Sequence, residues 1–129
     1  MLFKMSREDK VAAFLRAAGK KPFDKKVGDI DESVFNAVDE EIDELQEAAW
    51  VYAINPNESN RAYLCKEWAD AQYVLSQMAW YFDIPADPSF NRVHLNNMTK
   101  IGPDGKVKFR DDGKILKPDD YKPADMSGL

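Results

Sequence analysis

Apolar residues recur at helical spacing in three stretches of this chain, each bracketed by residues that start or stop helices. Val11, Phe14, Leu15 and Ala18 form the first stripe; Ser6, with Asp9 three residues on, caps its start, and Gly19 stops it. Lys20 to Asp31 contains Pro22 and Gly28 and reads as a loop. A second helix is predicted from Asp31 or Glu32 to Ala53, ended by Asn55-Pro56-Asn57, and a third from Glu58 or Ser59 to Phe82. Asp87-Pro88, an N-cap followed by proline at the first helical position, opens a fourth helix that runs to Asn97 or Lys100. Beyond Gly102 the pattern changes. Gly105 to Lys117 predicts a short hairpin turning at Asp112-Gly113, and Pro118 to Leu129 an extended tail. The predicted fold class is all-α: one domain with a four-helix-bundle-like core over about residues 6–101 and a tail over about 102–129.

Two of these helices carry more than one stripe. On the second, Val34, Val38, Ile42, Leu45, Ala49 and Tyr52 make a continuous apolar seam expected to face the core. Beside it, spaced four-three-four-three, run Ala37, Glu41, Glu44, Ala48 and Val51, with Glu40 adjacent. Asn36, Asp39, Asp43 and Gln46 point outward, joined by Trp50. The third helix repeats the arrangement. Its seam is Leu64, Trp68, Ala71, Leu75, Met78 and Phe82; its second stripe is Tyr63, Glu67, Asp70, Val74, Gln77 and Tyr81. Each helix therefore sets two acids three apart on a face whose other members are mostly small, apolar or aromatic. If those faces meet, four carboxylates converge.

Composition narrows the setting. A chain of 129 residues has the length of one domain, and 44% hydrophobic with 12% aromatic residues suffices for a core. A lone cysteine, Cys65, excludes an intrachain disulfide framework, and with one histidine, His94, it excludes the common zinc sites. No apolar run has membrane-spanning length, and Met1-Leu2-Phe3-Lys4-Met5 is too short a start for a signal peptide. A cytoplasmic protein without a membrane partner is expected. The net charge of −5 speaks against a nucleic-acid partner. That charge is segregated: residues 1–26 hold eight Lys/Arg and three acids, whereas residues 27–58 hold ten acids and no Lys or Arg. Residues 59–98 are close to neutral, with three basic and four acidic residues, and residues 99–129 hold seven and six.

An acidic block is ordinarily a solvated helix face, and Asp39 and Asp43 fit that reading. Glu41, Glu44, Glu67 and Asp70 do not, because their stripes are packing faces. Carboxylates crowded into a partly desolvated site repel, and some must take up protons unless a cation sits among them. A hard divalent ion suits carboxylate oxygens, and the lack of nearby His or Cys favours Mg²⁺ or Mn²⁺ over zinc or copper. Salt bridges from Arg16, Lys66 or Lys100 are the alternative source of positive charge.

Glu41-Ile-Asp-Glu44, twenty-two residues, then Glu67-Trp-Ala-Asp70 resembles the ExxE…ExxD signature of the all-α nucleoside triphosphate pyrophosphohydrolases. That superfamily contains MazG, the dimeric dUTPases and phosphoribosyl-ATP pyrophosphohydrolase. Val93-His94-Leu-Asn-Asn97-Met98-Thr-Lys100, Asp112-Gly-Lys114-Ile-Leu-Lys117-Pro and Tyr121-Lys-Pro-Ala-Asp125 look like the tail of a MazG-like bacterial and phage branch. Thr99, Asp119-Asp120 and Ala124 depart from that branch's usual tail. The resemblance implies Mg²⁺-dependent hydrolysis of a nucleoside triphosphate, the substrate partner, to monophosphate and pyrophosphate. It implies Glu41, Glu44, Glu67 and Asp70 as metal ligands and Glu40 as the residue that orients or deprotonates water. Asn97, Lys100, Lys114, Lys117 and Tyr121 match positions expected near the nucleotide, and the resemblance implies a homodimer or higher homo-oligomer. Phosphoribosyl-ATP hydrolysis is an alternative activity, and a non-catalytic acidic interaction module an alternative class. A di-iron oxidoreductase is disfavoured, because it needs Glu-x-x-His pairs and Asn91 precedes His94 by three. His94 reads as locally hydrogen-bonded, the three tryptophans as core or interface, and Cys65 as a buried small hydrophobe.

Overall fold

The computed structural model describes residues 4–129; the opening Met1-Leu2-Phe3 of the start judged too short for a signal peptide lies outside the described residues. The architecture is all-α. Four helices follow in order, α1 (Arg7–Ala17), α2 (Ser33–Ile54), α3 (Glu58–Tyr81) and α4 (Ala86–Met98), with no β-strand among the described residues. None is long and apolar enough to cross a membrane. By their contacts the residues divide into two compact units, Met1–Ile84 and Pro85–Leu129.

Local chemistry sets the ends of the helices. Ser6 and Asp9 form a reciprocal capping box at α1, the Asp9 amide donating to Ser6 Oγ at 3.0 Å and the Ser6 amide to Asp9 Oδ2 at 3.3 Å. Gly19, at φ +77°, lets α1 end in a Schellman turn, with the Lys20 amide on the Leu15 carbonyl and the Gly19 amide on that of Arg16. The end of α3 repeats this turn with Asp83 at φ +53°, the Ile84 amide reaching the Ala79 carbonyl at 2.8 Å. Asn57 caps α3 by accepting the Asn60 amide at 2.8 Å.

The first unit is a three-helix layer in which α3 is central, packed against α2 most extensively and against α1 on another side. Val11, Ala12 and Leu15 of α1 are buried, and Ser76, 2% exposed, donates from its hydroxyl to Glu8 Oε1 at 3.0 Å across the α1–α3 contact. The Lys20–Asp31 loop is tied to the end of α3. The Phe23 amide donates to the Tyr81 carbonyl, the Asp31 amide donates to Tyr81 Oη at 2.8 Å, and the rings of Phe23, Phe35, Tyr81 and Phe82 cluster.

The burial of the two stripes differs from the expected one. On α3 the acid-bearing stripe is the deeper, with Glu67, Val74 and Tyr81 buried, whereas Trp68 and Leu75 of the anticipated core seam are 51% and 45% exposed. On α2 the buried residue is Ala48, also from the acid-bearing stripe. The reason is that α3 turns its acid stripe to α2 and small residues such as Ala71 and Ala79 inward, leaving the Trp68 face with Arg7 over its ring at 5.7 Å. Trp50 is exposed on the outward face where the pattern placed it, and Cys65, expected to be buried, is exposed too.

In the second unit α4 starts at Ala86, with Pro85 rather than Asp87 as N-cap. Pro88 is tolerated inside the first turn because amides there have no intrahelical acceptor, and the Ser89 hydroxyl and amide both donate to the Pro85 carbonyl. The expected hairpin contracts to one antiparallel bridge, Phe109 with Ile115, closed by the Arg110–Lys114 turn. A second Asp-Gly turn precedes it at Asp104-Gly105. The tail is extended but anchored. Arg92 Nη1 donates to the carbonyls of Asp125 and Ser127, and Asn96 Nδ2 to Tyr121 Oη.

Ala48 is 0% exposed where α2 meets α3, so Ala48→Leu should overpack that contact and cost about 1–3 kcal/mol. A denaturant melt checks this against Ala49→Leu, whose site is exposed and should tolerate the change.

Candidate metal centre

Convergence of the two acid stripes follows from the α2–α3 contact. Glu41 on α2 and Glu67 and Asp70 on α3 each present an oxygen within 4.8 Å of the others. Glu67 is buried, 4% exposed, and Glu41 and Asp70 are half-buried. Glu41 Oε2 and Glu67 Oε2 are buried without a hydrogen-bond partner. A carboxylate oxygen in that state is among the costlier groups a fold can bury, because it has lost water and gained no donor.

Glu44 lies at the exposed side of the same cluster. The charge of Glu41, followed by desolvation and the charge of Glu67, pushes its carboxyl above the ordinary value. Burial, and after it the charges of Glu47, Glu67 and Glu44, pushes up the Tyr63 phenol one turn before Glu67. All four expected ligands therefore share one field, three of them at coordinating separation. Glu40, the expected water-orienting acid, is exposed beside Glu41.

Among the described residues, one cation reaches the cluster. Lys66 Nζ stands 2.8 Å from Asp70 Oδ2 and 3.2 Å from Glu67 Oε1, and hydrogen bonds to these two carboxylates hold its ammonium protonated well above its ordinary range. Of the salt-bridge partners considered from sequence, Lys66 is the one that engages these acids. Its side chain is 67% exposed, so the pairs are solvent-screened and worth little. It also leaves the two inner oxygens untouched. One lysine against four acids does not balance the site.

The donor set fits a hard divalent cation. Carboxylate oxygens from two helices, two of them lacking any partner, match Mg²⁺ or Mn²⁺, and no thiol or imidazole belongs to the cluster.

The other expected contacts lie in the second unit. Asn97, Lys100, Lys117 and Tyr121 come together there: Lys100 Nζ donates to Asn97 Oδ1 at 3.0 Å, and Lys100 and Lys117 stand 5.7 and 4.8 Å from the Tyr121 ring centre. Lys114 does not join them. It belongs to the bridge turn, its amide donating to Asp112 Oδ1. Lys106 and Lys108, not singled out from sequence, line a concavity with Lys100 and Lys117. Their i, i+2 spacing in an extended segment was the available signal.

The paired acids of α2 and α3, converging on a cation-competent centre, have the arrangement that the ExxE…ExxD signature describes. The model of the phosphoribosyl-ATP pyrophosphohydrolase family matches residues 11–97, from α1 to the end of α4, and the chain belongs to that family. The family sits within the MazG-like all-α nucleoside triphosphate pyrophosphohydrolase superfamily, whose members are hydrolases of phosphoric anhydride bonds. The matched segment contains all four acids and Asn97 but stops before Lys100 and the tail. Comparison with curated proteins gives no match.

Replacing a buried carboxylate that keeps one oxygen unpartnered by its neutral isostere should relieve repulsion. Glu67→Gln is expected to raise the melting temperature of the protein in EDTA and to abolish the rise that Mg²⁺ gives the parent protein. Scanning calorimetry with and without Mg²⁺ reads both effects, and a lowered melting temperature in EDTA would mean that Glu67 is a structural acid.

Proposed function

We propose that the protein is a Mg²⁺-dependent pyrophosphohydrolase that cleaves a nucleoside triphosphate between its α- and β-phosphorus atoms, giving the monophosphate and pyrophosphate. The observation that carries the reading is the pair of buried, unpartnered oxygens on Glu41 and Glu67, one on each helix of the α2–α3 contact. An acidic interaction module has no use for carboxylates placed there, since a partner cannot reach oxygens hidden from solvent.

In this reading Glu41, Glu44, Glu67 and Asp70 hold the cation. When bound, it neutralises phosphate oxygens and the charge that develops as pyrophosphate leaves. Water attacks the α-phosphorus opposite the leaving pyrophosphate, and its proton goes to a carboxylate. Glu40 is the assigned acceptor, because it is solvent-facing and adjacent to Glu41 without being committed to the inner cluster. Lys66, bonded to Asp70 and Glu67, offsets a small part of their repulsion before substrate arrives. Phosphoribosyl-ATP, the substrate in the family's description, undergoes the same cleavage and is the second candidate substrate.

We further propose a homodimer that covers the exposed Trp68 and Leu75 on α3. Light scattering should give twice the 14.7 kDa chain mass, and Trp68→Glu should return it to one; a monomeric parent protein contradicts the dimer.

A panel of ribo- and deoxynucleoside triphosphates and phosphoribosyl-ATP, assayed with Mg²⁺, should show pyrophosphate release from at least one member. Glu44→Gln and Asp70→Asn are expected to reduce the rate by about 100-fold or more, the scale of disturbing a metal's ligand set. Glu40→Gln should lower kcat while leaving Mg²⁺ binding unchanged. A panel without monophosphate above background overturns the reading.

A further inference from the structure

We propose that Lys66 is an exchangeable cation of the acid centre: its ammonium bridges Glu67 and Asp70 until a divalent cation takes those carboxylates, and is then released to bind a phosphate oxygen of the substrate. The proposal rests on the pyrophosphohydrolase reading for the identity of that substrate. To it is added an order of binding, metal before triphosphate.

The geometry of Lys66 differs from that of a structural ion pair in three respects. Its ammonium satisfies the cluster on one side only. It meets Asp70 Oδ2 at 2.8 Å and Glu67 Oε1 at 3.2 Å, while Glu41 Oε2 and Glu67 Oε2 stay without a donor. A divalent cation carries twice the charge and binds several carboxylate oxygens at once, so among acids within 4.8 Å of one another it outcompetes a single ammonium. The second respect is burial. The Lys66 side chain is 67% exposed and that of Glu67 is 6% exposed, so the lysine leaves without opening a cavity and the carboxylate stays in place. Breaking two solvent-screened pairs costs little.

The third respect is direction. Lys66, Asp70, Tyr73, Gln77 and Trp80 recur four-three-four-three along α3 and so share one flank of it. Asp70 on this flank keeps partial exposure, and a released Lys66 ammonium stays beside it at the edge open to water. That edge is otherwise hostile to an anion. Glu40, Glu44 and Glu47 of α2 are exposed there, and Lys66 is the one cation among the described residues that bonds the cluster. While it neutralises Glu67 and Asp70 it has no charge to offer a phosphate. Once a metal replaces it, the same charge becomes available, and the ammonium changes partners without giving up a proton. Metal and triphosphate then favour each other's binding, because each stabilises the arrangement the other needs. A lysine suits this exchange better than an arginine, whose planar fork would clamp the carboxylates.

The test is a calorimetric titration of the intact protein, first with Mg²⁺ and then, at saturating Mg²⁺, with inorganic tripolyphosphate, which presents the phosphate chain without a base. Competition predicts that Lys66→Gln binds Mg²⁺ about fivefold more tightly than the parent protein, and Lys66→Arg more weakly than the parent. Exchange predicts the opposite sign for the anion: Lys66→Gln should bind tripolyphosphate about tenfold more weakly in Mg²⁺ and no differently from the parent in EDTA. Arg61→Gln removes an exposed charge from the same helix without touching either bond, and should leave both affinities unchanged. Mg²⁺ affinity in Lys66→Gln at or below that of the parent would make Lys66 a structural partner. Unchanged tripolyphosphate binding, or equal shifts in Arg61→Gln, would overturn the exchange. A parent protein that binds no Mg²⁺ sinks the metal centre and this proposal together. The predicted affinities without pyrophosphate release sink only the proposed reaction, and release without them sinks only the role of Lys66.

Discussion

Repulsion among carboxylates pressed between two helices is the constraint on which the rest of this structure depends. The α2–α3 contact is the largest in the first unit, and it is made along the acid-bearing stripes rather than along the more hydrophobic ones. A fold optimised for stability alone would put Leu75 and Trp68 there and leave Glu67 in water. The opposite arrangement keeps Glu67 at 4% exposure with one oxygen unsatisfied. Natural proteins accept such local cost where the site is used.

Much of the remaining structure works to hold those stripes in register. Ala48 lets the helices approach, the capping box of α1 and the Schellman turns of α1 and α3 fix helix ends, and Tyr81 fastens the long loop to α3 through a main-chain and a side-chain bond. The Ser76 hydroxyl, donating to Glu8, ties α3 to α1 on a side other than the α2 contact. Lys66 is the protein's own partial answer to the repulsion, placed at the solvent edge where it can give way to a stronger cation. In the C-terminal unit Lys100, Lys106, Lys108 and Lys117 line one concavity together with Asp104 and Asp119.

The order and ends of the helices were legible from short-range chemistry. Ser6 with Asp9, Gly19 and the Asn55-Pro56-Asn57 break each act within a few residues, so spacing alone located them. The acid pairs were legible for the same reason, since i, i+3 placement on a helix needs no tertiary information. Which stripe would be buried was not. Hydrophobicity favoured the Leu64–Phe82 seam, but burial is decided by which neighbour is available, and α3 meets α2 on its other face. Cys65 was misjudged on the same ground. The start of α4 shifted by a turn-scale effect, because the amides of a first turn are free and Pro88 fits among them. The lysine concavity required two reversals of the chain to bring Lys106 and Lys108 to Lys117, a contact that a linear reading does not display.

The most direct test of the cation site is anomalous diffraction from crystals grown with Mn²⁺. An anomalous peak within coordinating distance of Glu41, Glu67 and Asp70, with the Lys66 ammonium displaced from one of its carboxylates, is the expected result. Saturating Mn²⁺ with no peak between α2 and α3, and Lys66 still bridging Glu67 and Asp70, would contradict it.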